Sequence, residues 1–282
     1  MIRAEVAMGT TVSIEVDAPD SAVDKALGWF HVVEAHCSRF DAASELRCLT
    51  AGRRTPVSPI LFEAVRFALQ VAEETGGAFD PTIGARMAAR GYNRHHRTRE
   101  ISGQGQAEGG VSFRDVEIDA QDHTILLRRA LTLDLGAVAK GLAVDAAARE
   151  LRQFRNFAID AGGDLFLGGC NPQGEPWSAG IRHPRIRGEL VDRIRVSDRA
   201  VCTSGDYERG GHILDPRTGA AAQAVASATV VAPGAMLADA LATAAFVLGP
   251  EKGLSLLMQM GVEGLIVTAG LACLRTPGFP HA

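Results

Sequence analysis

No C-x-x-C pair occurs in this chain. The five cysteines, Cys37, Cys48, Cys170, Cys202 and Cys273, are odd in number and widely spaced. That pattern excludes a zinc site built on paired cysteines and gives no disulfide framework, so the thiols read as small buried hydrophobes. No apolar h-region follows Met1-Ile2-Arg3-Ala4-Glu5, and no signal peptide is visible. The longest apolar stretch, Met236 to Leu248, is interrupted by Asp239, so nothing reads as a membrane span. The expectation is a cytoplasmic protein as written, with a mature exported form as the alternative. Basic residues are not in excess, at 29 Lys and Arg against 33 Asp and Glu, a balance that does not suit a nucleic-acid partner. One basic stretch, Arg86 to Arg99 with Arg94, His95, His96 and Arg97, reads as a solvated loop. Aromatic residues make up only 5% of the chain.

Glycine is plentiful instead. Gly76-Gly77, Gly109-Gly110, Gly162-Gly163, Gly168-Gly169 and Gly210-Gly211 are pairs of the kind that make tight turns or let backbone approach a ligand. The 282 residues suffice for one large domain, or for two lobes of about 1–130 and 131–282 with a site between them.

Apolar periodicity predicts a strand pair or long strand over Val6 to Val16, and helices over Ser21 to Phe40 and Pro59 to Thr75, the second stopped by Gly76-Gly77. Residues 84 to 115 read as an irregular excursion, Val116 to Leu127 as a hairpin and Leu131 to Leu135 as a strand. A helix follows over Val138 to Leu151, then a strand–turn–strand over Phe157 to Phe166. Short strands are expected at Ser178 to Arg182, Leu190 to Val196, Arg199 to Thr203 and Ala228 to Val231. Helices over Met236 to Leu248 and Glu251 to Met260 precede a final strand pair, Leu265 to Leu274. Without a regular βαβ rhythm this is α+β, with mixed or antiparallel sheets and packed helices.

Several segments carry chemistry. Asp239 lies on an otherwise apolar helix with Thr243 four residues on, so both project from one face. A buried carboxylate needs a partner, and a hard cation such as Mg²⁺ suits carboxylate and hydroxyl oxygens. The alternative is an aspartate favoured by the helix dipole, with threonine as filler. In Leu131-Thr-Leu-Asp-Leu-Gly-Ala-Val-Ala-Lys140 a helix begins near Ala137, and its free N–H groups would form an anion site with Lys140 in the first turn. Lys140 pairing with Asp134 or Asp145 is the competing reading. The spacing is not that of a Walker loop. Thr203-Ser-Gly-Asp206 offers small hydroxyls and exposed backbone, as phosphate loops do. His212 is a candidate general acid or base.

In order, Met8-Gly-Thr10, Phe40-Asp-Ala-Ala-Ser-Glu-Leu46, Gly76-Gly-Ala-Phe-Asp-Pro-Thr82, Asp134-Leu-Gly-Ala-Val-Ala-Lys-Gly141, Asp160-Ala-Gly-Gly-Asp164, Thr203-Ser-Gly-Asp-Tyr207, His212-Ile-Leu-Asp-Pro-Arg-Thr-Gly219 and Asp239-Ala-Leu-Ala-Thr243 resemble the ApbE family, the FAD:protein FMN transferases or flavin-trafficking proteins. The resemblance implies a single catalytic domain that binds FAD and a divalent metal, usually Mg²⁺. It implies transfer of the FMN moiety to a threonine or serine of an acceptor flavoprotein, with release of AMP. It implies Asp239, Thr243 and the carbonyl of Ala137 as metal ligands. Met8, Phe40, Ala78, Phe79, Asp80, Asp134, Lys140 and Ile213 match FAD-contacting positions, Phe40 beside the flavin ring. Gly162, Gly163, Thr203 and Ser204 join them as cofactor-binding candidates. His212 and Lys140 are the candidate catalytic side chains. An FAD pyrophosphatase and a flavin carrier without turnover are the competing functions.

Overall fold

Alternation along the strands decides which side chain covers which face. The computed structural model describes residues 1–93, 101, 110–207 and 212–281. The chain opens with β1 (Ile2–Ala7) and β2 (Thr10–Val16), then α1 (Asp20–Cys37). A smaller unit follows: β3 (Arg54–Pro56), α2 (Pro59–Glu74), α3 (Gly84–Ala89), β4 (Val116–Asp119) and β5 (Thr124–Leu127). Next come α4 (Gly136–Leu151), β6 (Phe157–Ala161), β7 (Asp164–Gly168), β8 (Trp177–Arg182), β9 (Leu190–Val196), β10 (Arg199–Gly205) and β11 (Val225–Ala232). The chain closes with α5 (Ala235–Leu248), α6 (Pro250–Gln259), β12 (Glu263–Thr268) and β13 (Cys273–Arg275).

An eight-stranded antiparallel sheet, ordered β1-β2-β6-β7-β10-β11-β12-β13, is the backbone of the fold. Strands from both sides of residue 130 share it. Val12, Ile14, Ile159, Cys202, Val230 and Ile266 point to one face, where they form a single core with α1, α4 and α5. The intervening residues Leu167, Val201, Val231, Leu265 and Val267 point to the other face, under the β8–β9 hairpin with Ile181 and Ile194. This is the period of two expected of strands buried on both sides. The smaller sheet, β3-β5-β4, packs beside α2. The architecture is α+β, as the sequence leads one to expect.

Helices α4 and α5 pack directly against each other. Leu241 and Phe246 of α5 are fully buried, each contributing about 1.5–3 kcal/mol by leaving water. α5 has no side-chain cap of its own. Asp145 of α4 does that work, accepting hydrogen bonds from the backbone N–H groups of Ala235 at 2.7 Å and Met236 at 3.0 Å. The two helices meet at Gly141, where a Cβ would stand 2.4 Å from the Cα of Met236. Only glycine permits that crossing.

Four sequence expectations change. Leu131 to Leu135 is no strand. Among the described residues its sole ladder contact is a bridge between Thr132 and Ile83, and the segment runs straight into α4. The 84–115 stretch is not wholly irregular, since it carries α3 and a helical turn at Phe113–Asp115. Of the basic stretch, Arg94 to Arg99 lie outside the described residues. Arg86 and Arg90 are not merely solvated. Arg86 donates to the carbonyl of Pro216 at 2.5 Å and Arg90 to that of Gly219 at 2.7 Å, which ties α3 to the turn after Leu214. Thr203 to Gly205 is the end of β10 rather than a free loop.

Candidate active site

A cavity of about 560 Å³ opens between the end of α1, the start of α4, the Asp239–Thr243 turn of α5, the end of β10 and the α3 segment. Met8 reaches it from the β1–β2 turn at φ 50°, a left-handed conformation uncommon for a side-chain-bearing residue. Phe40, Ala78, Phe79, Asp80, Asp134, Ala137, Lys140, Thr203, Ser204, His212, Ile213, Asp239 and Thr243 also line it. The sequence candidates thus converge on one place, with two exceptions. Gly162 and Gly163 form the β6–β7 turn at φ 68° and 98° and do not line the cavity.

At its floor, the helix crossing brings Lys140 between two carboxylates. The ammonium forms an ion pair with Asp164, at the start of β7, and lies 3.5 Å from Oδ2 of Asp239. Both carboxylates are almost wholly buried, with 5% and 9% of their side chains exposed. At that separation Lys140 reaches Oδ2 of Asp239 only at the limit of a hydrogen bond, and the oxygen has no closer hydrogen-bond partner among the described residues. Burial pushes the Asp239 carboxyl above the usual carboxylate range, and the Lys140 charge only partly counters it. Thr243, one turn along α5, exchanges a hydrogen bond with Ser204 at 3.0 Å. Ala137 departs from helical geometry inside α4, at φ −97° and ψ 19°.

This geometry corrects the expectations about Lys140. It is the fifth residue of α4, past the first turn, and its partners are neither Asp134 nor Asp145. Asp145 caps α5, and Asp134 binds Arg39. Most of the N–H groups at the start of α4 are engaged. Gly136 donates to Asp134, and Val138 and Ala139 both donate to the carbonyl of Leu135. The lysine charge at this end of the cavity is that of Lys140, which faces two carboxylates.

Other lining residues are set by local bonds. The Asp80 carboxylate is engaged within its own wall, accepting from Thr82 N at 2.8 Å, Thr82 Oγ1 at 2.7 Å and Phe113 N at 3.0 Å. His212 meets the Tyr92 ring edge-on, with centroids 6.2 Å apart. Burial, reinforced by the charge of Glu45, raises the Cys37 thiol to about 12, so this cavity-lining cysteine stays protonated and is no nucleophile. Among the described residues no group of three or more His, Cys, Asp or Glu side chains could hold a metal. Any cation here depends on hydroxyl and carbonyl oxygens as well. No helix among the described residues is long and apolar enough to cross a membrane.

Sequence reasoning missed Arg39, which lines the same cavity with its side chain 5% exposed. An arginine at the end of an amphipathic helix carries no signal of burial. It also left Asp164 without a role, since nothing local in Gly162-Gly163-Asp164 points to a lysine 24 positions earlier.

A sequence model of the ApbE family matches residues 8–266. The chain belongs to this family. Its ApbE relatives include the FAD:protein FMN transferase of Haemophilus influenzae, 32% identical over 79% of this chain and 71% of that protein. The FAD:protein FMN transferase of Treponema pallidum is 33% identical over 94% of this chain and 83% of that protein. Among solved structures, the ApbE protein of Thermotoga maritima superposes with a TM-score of 0.87 at 30% identity, covering 98% of this chain and 97% of its own. The flavin transferase ApbE of Vibrio cholerae gives 0.84 at 26% identity, covering 98% and 96%. The α+β fold is thus the ApbE fold over nearly the whole length.

Proposed function

We propose that this chain transfers the FMN moiety of FAD to a threonine or serine hydroxyl of an acceptor flavoprotein, releasing AMP, with Mg²⁺ at Asp239, Thr243 and the Ala137 carbonyl. The observation that carries the reading is the floor of the cavity. There, in an ApbE chain, a buried carboxylate oxygen with no hydrogen-bond partner closer than Lys140 among the described residues sits one helical turn from a hydroxyl and across the α4–α5 crossing from a backbone that leaves helical geometry. All three donors are hard oxygens, which fits Mg²⁺.

When bound, the cation would neutralise charge on the pyrophosphate and on the departing AMP. The protein's own part is distinct. Lys140 adds a positive charge that is only partly exposed, where it would stabilise developing negative charge better than in bulk solvent. Phe40 and Met8 offer apolar surface to a planar ring. His212, which lines the cavity, would accept the proton of the attacking hydroxyl. The hydroxyl oxygen forms a bond to the FMN-side phosphorus, and the bond from that phosphorus to the AMP oxygen breaks.

Mass spectrometry after incubation with FAD, Mg²⁺ and candidate acceptor domains tests the reaction. The expected result is an acceptor heavier by one FMN phosphoester, with AMP in equal amount. AMP and free FMN without an acceptor would show a pyrophosphatase instead. FAD retained unchanged across varied metals and acceptors would show a carrier.

A further inference from the structure

Arg39 is a buried charge that the outlined reaction leaves without a task. Its Nε donates to Oδ2 of Asp134 at 2.7 Å, and its Nη2 donates to the carbonyl of Tyr92 at 2.6 Å. The guanidinium carbon sits 4.0 Å from the centroid of the Phe40 ring. The other oxygen of Asp134 accepts from Gly136 N at 2.8 Å, at the start of α4. One side chain therefore joins three separate stretches of cavity wall: the segment after α1, the segment before α4 and the Gly91–Tyr92 stretch after α3. A planar guanidinium can stack on a ring and donate in its plane at the same time, and an ammonium cannot.

We propose that Arg39 is a positioning residue for FAD. It holds the Phe40 ring from one face and fixes the Asp134 carboxylate, so that both are ordered before the nucleotide enters. The inference rests on the flavin-transfer reading for the identity of the ligand. Its physical content is preorganisation: a wall already fixed loses less freedom on binding. Arg39 need not touch the reacting atoms. Its effect reaches FAD through Phe40 and Asp134, so it falls on binding more than on the chemical step.

The full chain carrying Arg39→Lys or Arg39→Met tests this. FAD affinity is read by quenching of flavin fluorescence, and KM and kcat are read in the transfer assay. Arg39→Met is expected to weaken FAD binding by about tenfold or more, with a matching rise in KM and a smaller change in kcat. Arg39→Lys keeps the charge but loses the stack, and rescues only part of the loss. Wild-type affinity and KM in Arg39→Lys would overturn the proposal, and that variant carries the test alone should Arg39→Met fail to fold. Wild-type protein that binds FAD but yields no FMN adduct sinks the transfer reading only, leaving Arg39 to be judged on binding. Active wild-type protein with indistinguishable Arg39 variants sinks the Arg39 proposal only. Wild-type protein that binds no FAD sinks both.

Discussion

Asp239→Asn separates folding from function at this site. In the protein without metal, Asp239 is a charge that burial penalises. Lys140, 3.5 Å away, returns about 5 kcal/mol of attraction at an effective dielectric constant of ~20. Asp164 already occupies the same ammonium and repels Asp239, so part of that attraction is lost. Desolvation of a carboxylate costs several kcal/mol. Burial wins, as the upward displacement of the Asp239 carboxyl indicates. Asparagine keeps the shape and removes the charge, and Lys140 keeps Asp164. Without metal, Asp239→Asn should therefore be at least as stable as wild type, because Lys140 keeps Asp164 as its partner. For a chain of this size each kcal/mol moves the melting temperature by about 2–4 °C. Adding Mg²⁺ with FAD should reverse the order. Saturating ligand at a hundredfold its Kd stabilises a competent site by about 2.7 kcal/mol, and the variant should gain almost none of it. AMP release should fall to background. Melting curves with and without Mg²⁺ and FAD, with AMP followed by chromatography, make the measurement. A metal-free variant less stable than wild type would refute the electrostatic argument. A variant that gains as much from Mg²⁺ as wild type would refute the ligand role.

Two further outcomes follow from residues outside the proposed metal site. Asp145→Ala leaves the N–H groups of Ala235 and Met236 without their acceptor. It should cost about 1–3 kcal/mol in urea unfolding, and it should slow AMP formation, because Asp239 lies one turn along the helix whose start is released. Unchanged stability would mean that α5 is held by packing alone. Alkylation by iodoacetamide at pH 8 should modify Cys48, which is exposed, and spare Cys37 and Cys202, which are buried. Cys37 stays protonated until pH approaches about 12, so its modification should remain slow to pH 10. Peptide mapping that finds Cys37 labelled as fast as Cys48 would refute its burial.

What could be read in the chain alone depended on how local the cause was. The α5 helix is legible because thirteen residues from Met236 to Leu248 hold one charge, and only a helix buried on all sides tolerates that run. The spacing of Asp239 and Thr243 then places both on one face, and the structure brings them to the same cavity. Lys140 illustrates the opposite case. The sequence offers it nearby partners, Asp134 and Asp145, but the strand that supplies Asp164 returns only after α4 ends. Leu131 to Leu135 has strand composition yet, among the described residues, no neighbouring strand to pair with, so propensity lost to topology. Arg39 was invisible for the same reason. Its three partners lie at Phe40, Tyr92 and Asp134, and the two distant ones are set by packing rather than by spacing.

The charge pattern that sequence did not reveal also bears on the order of events. Lys140, Asp164 and Asp239 together carry one net negative charge when all are ionised, in a place that admits little water. A pyrophosphate entering first would face that charge with only Lys140 to meet it, and Lys140 is already engaged. A divalent cation entering first inverts the sign of the cluster and gives the pyrophosphate a partner. In the proposed reading, Mg²⁺ and FAD therefore strengthen each other's binding. Because such coupling is reciprocal, FAD must raise the affinity for Mg²⁺ by the same factor that Mg²⁺ raises the affinity for FAD. Asp164 has a definite part in this although it is no proposed ligand. By holding Lys140 away from full pairing with Asp239, it would leave the Asp239 oxygen open to the proposed cation.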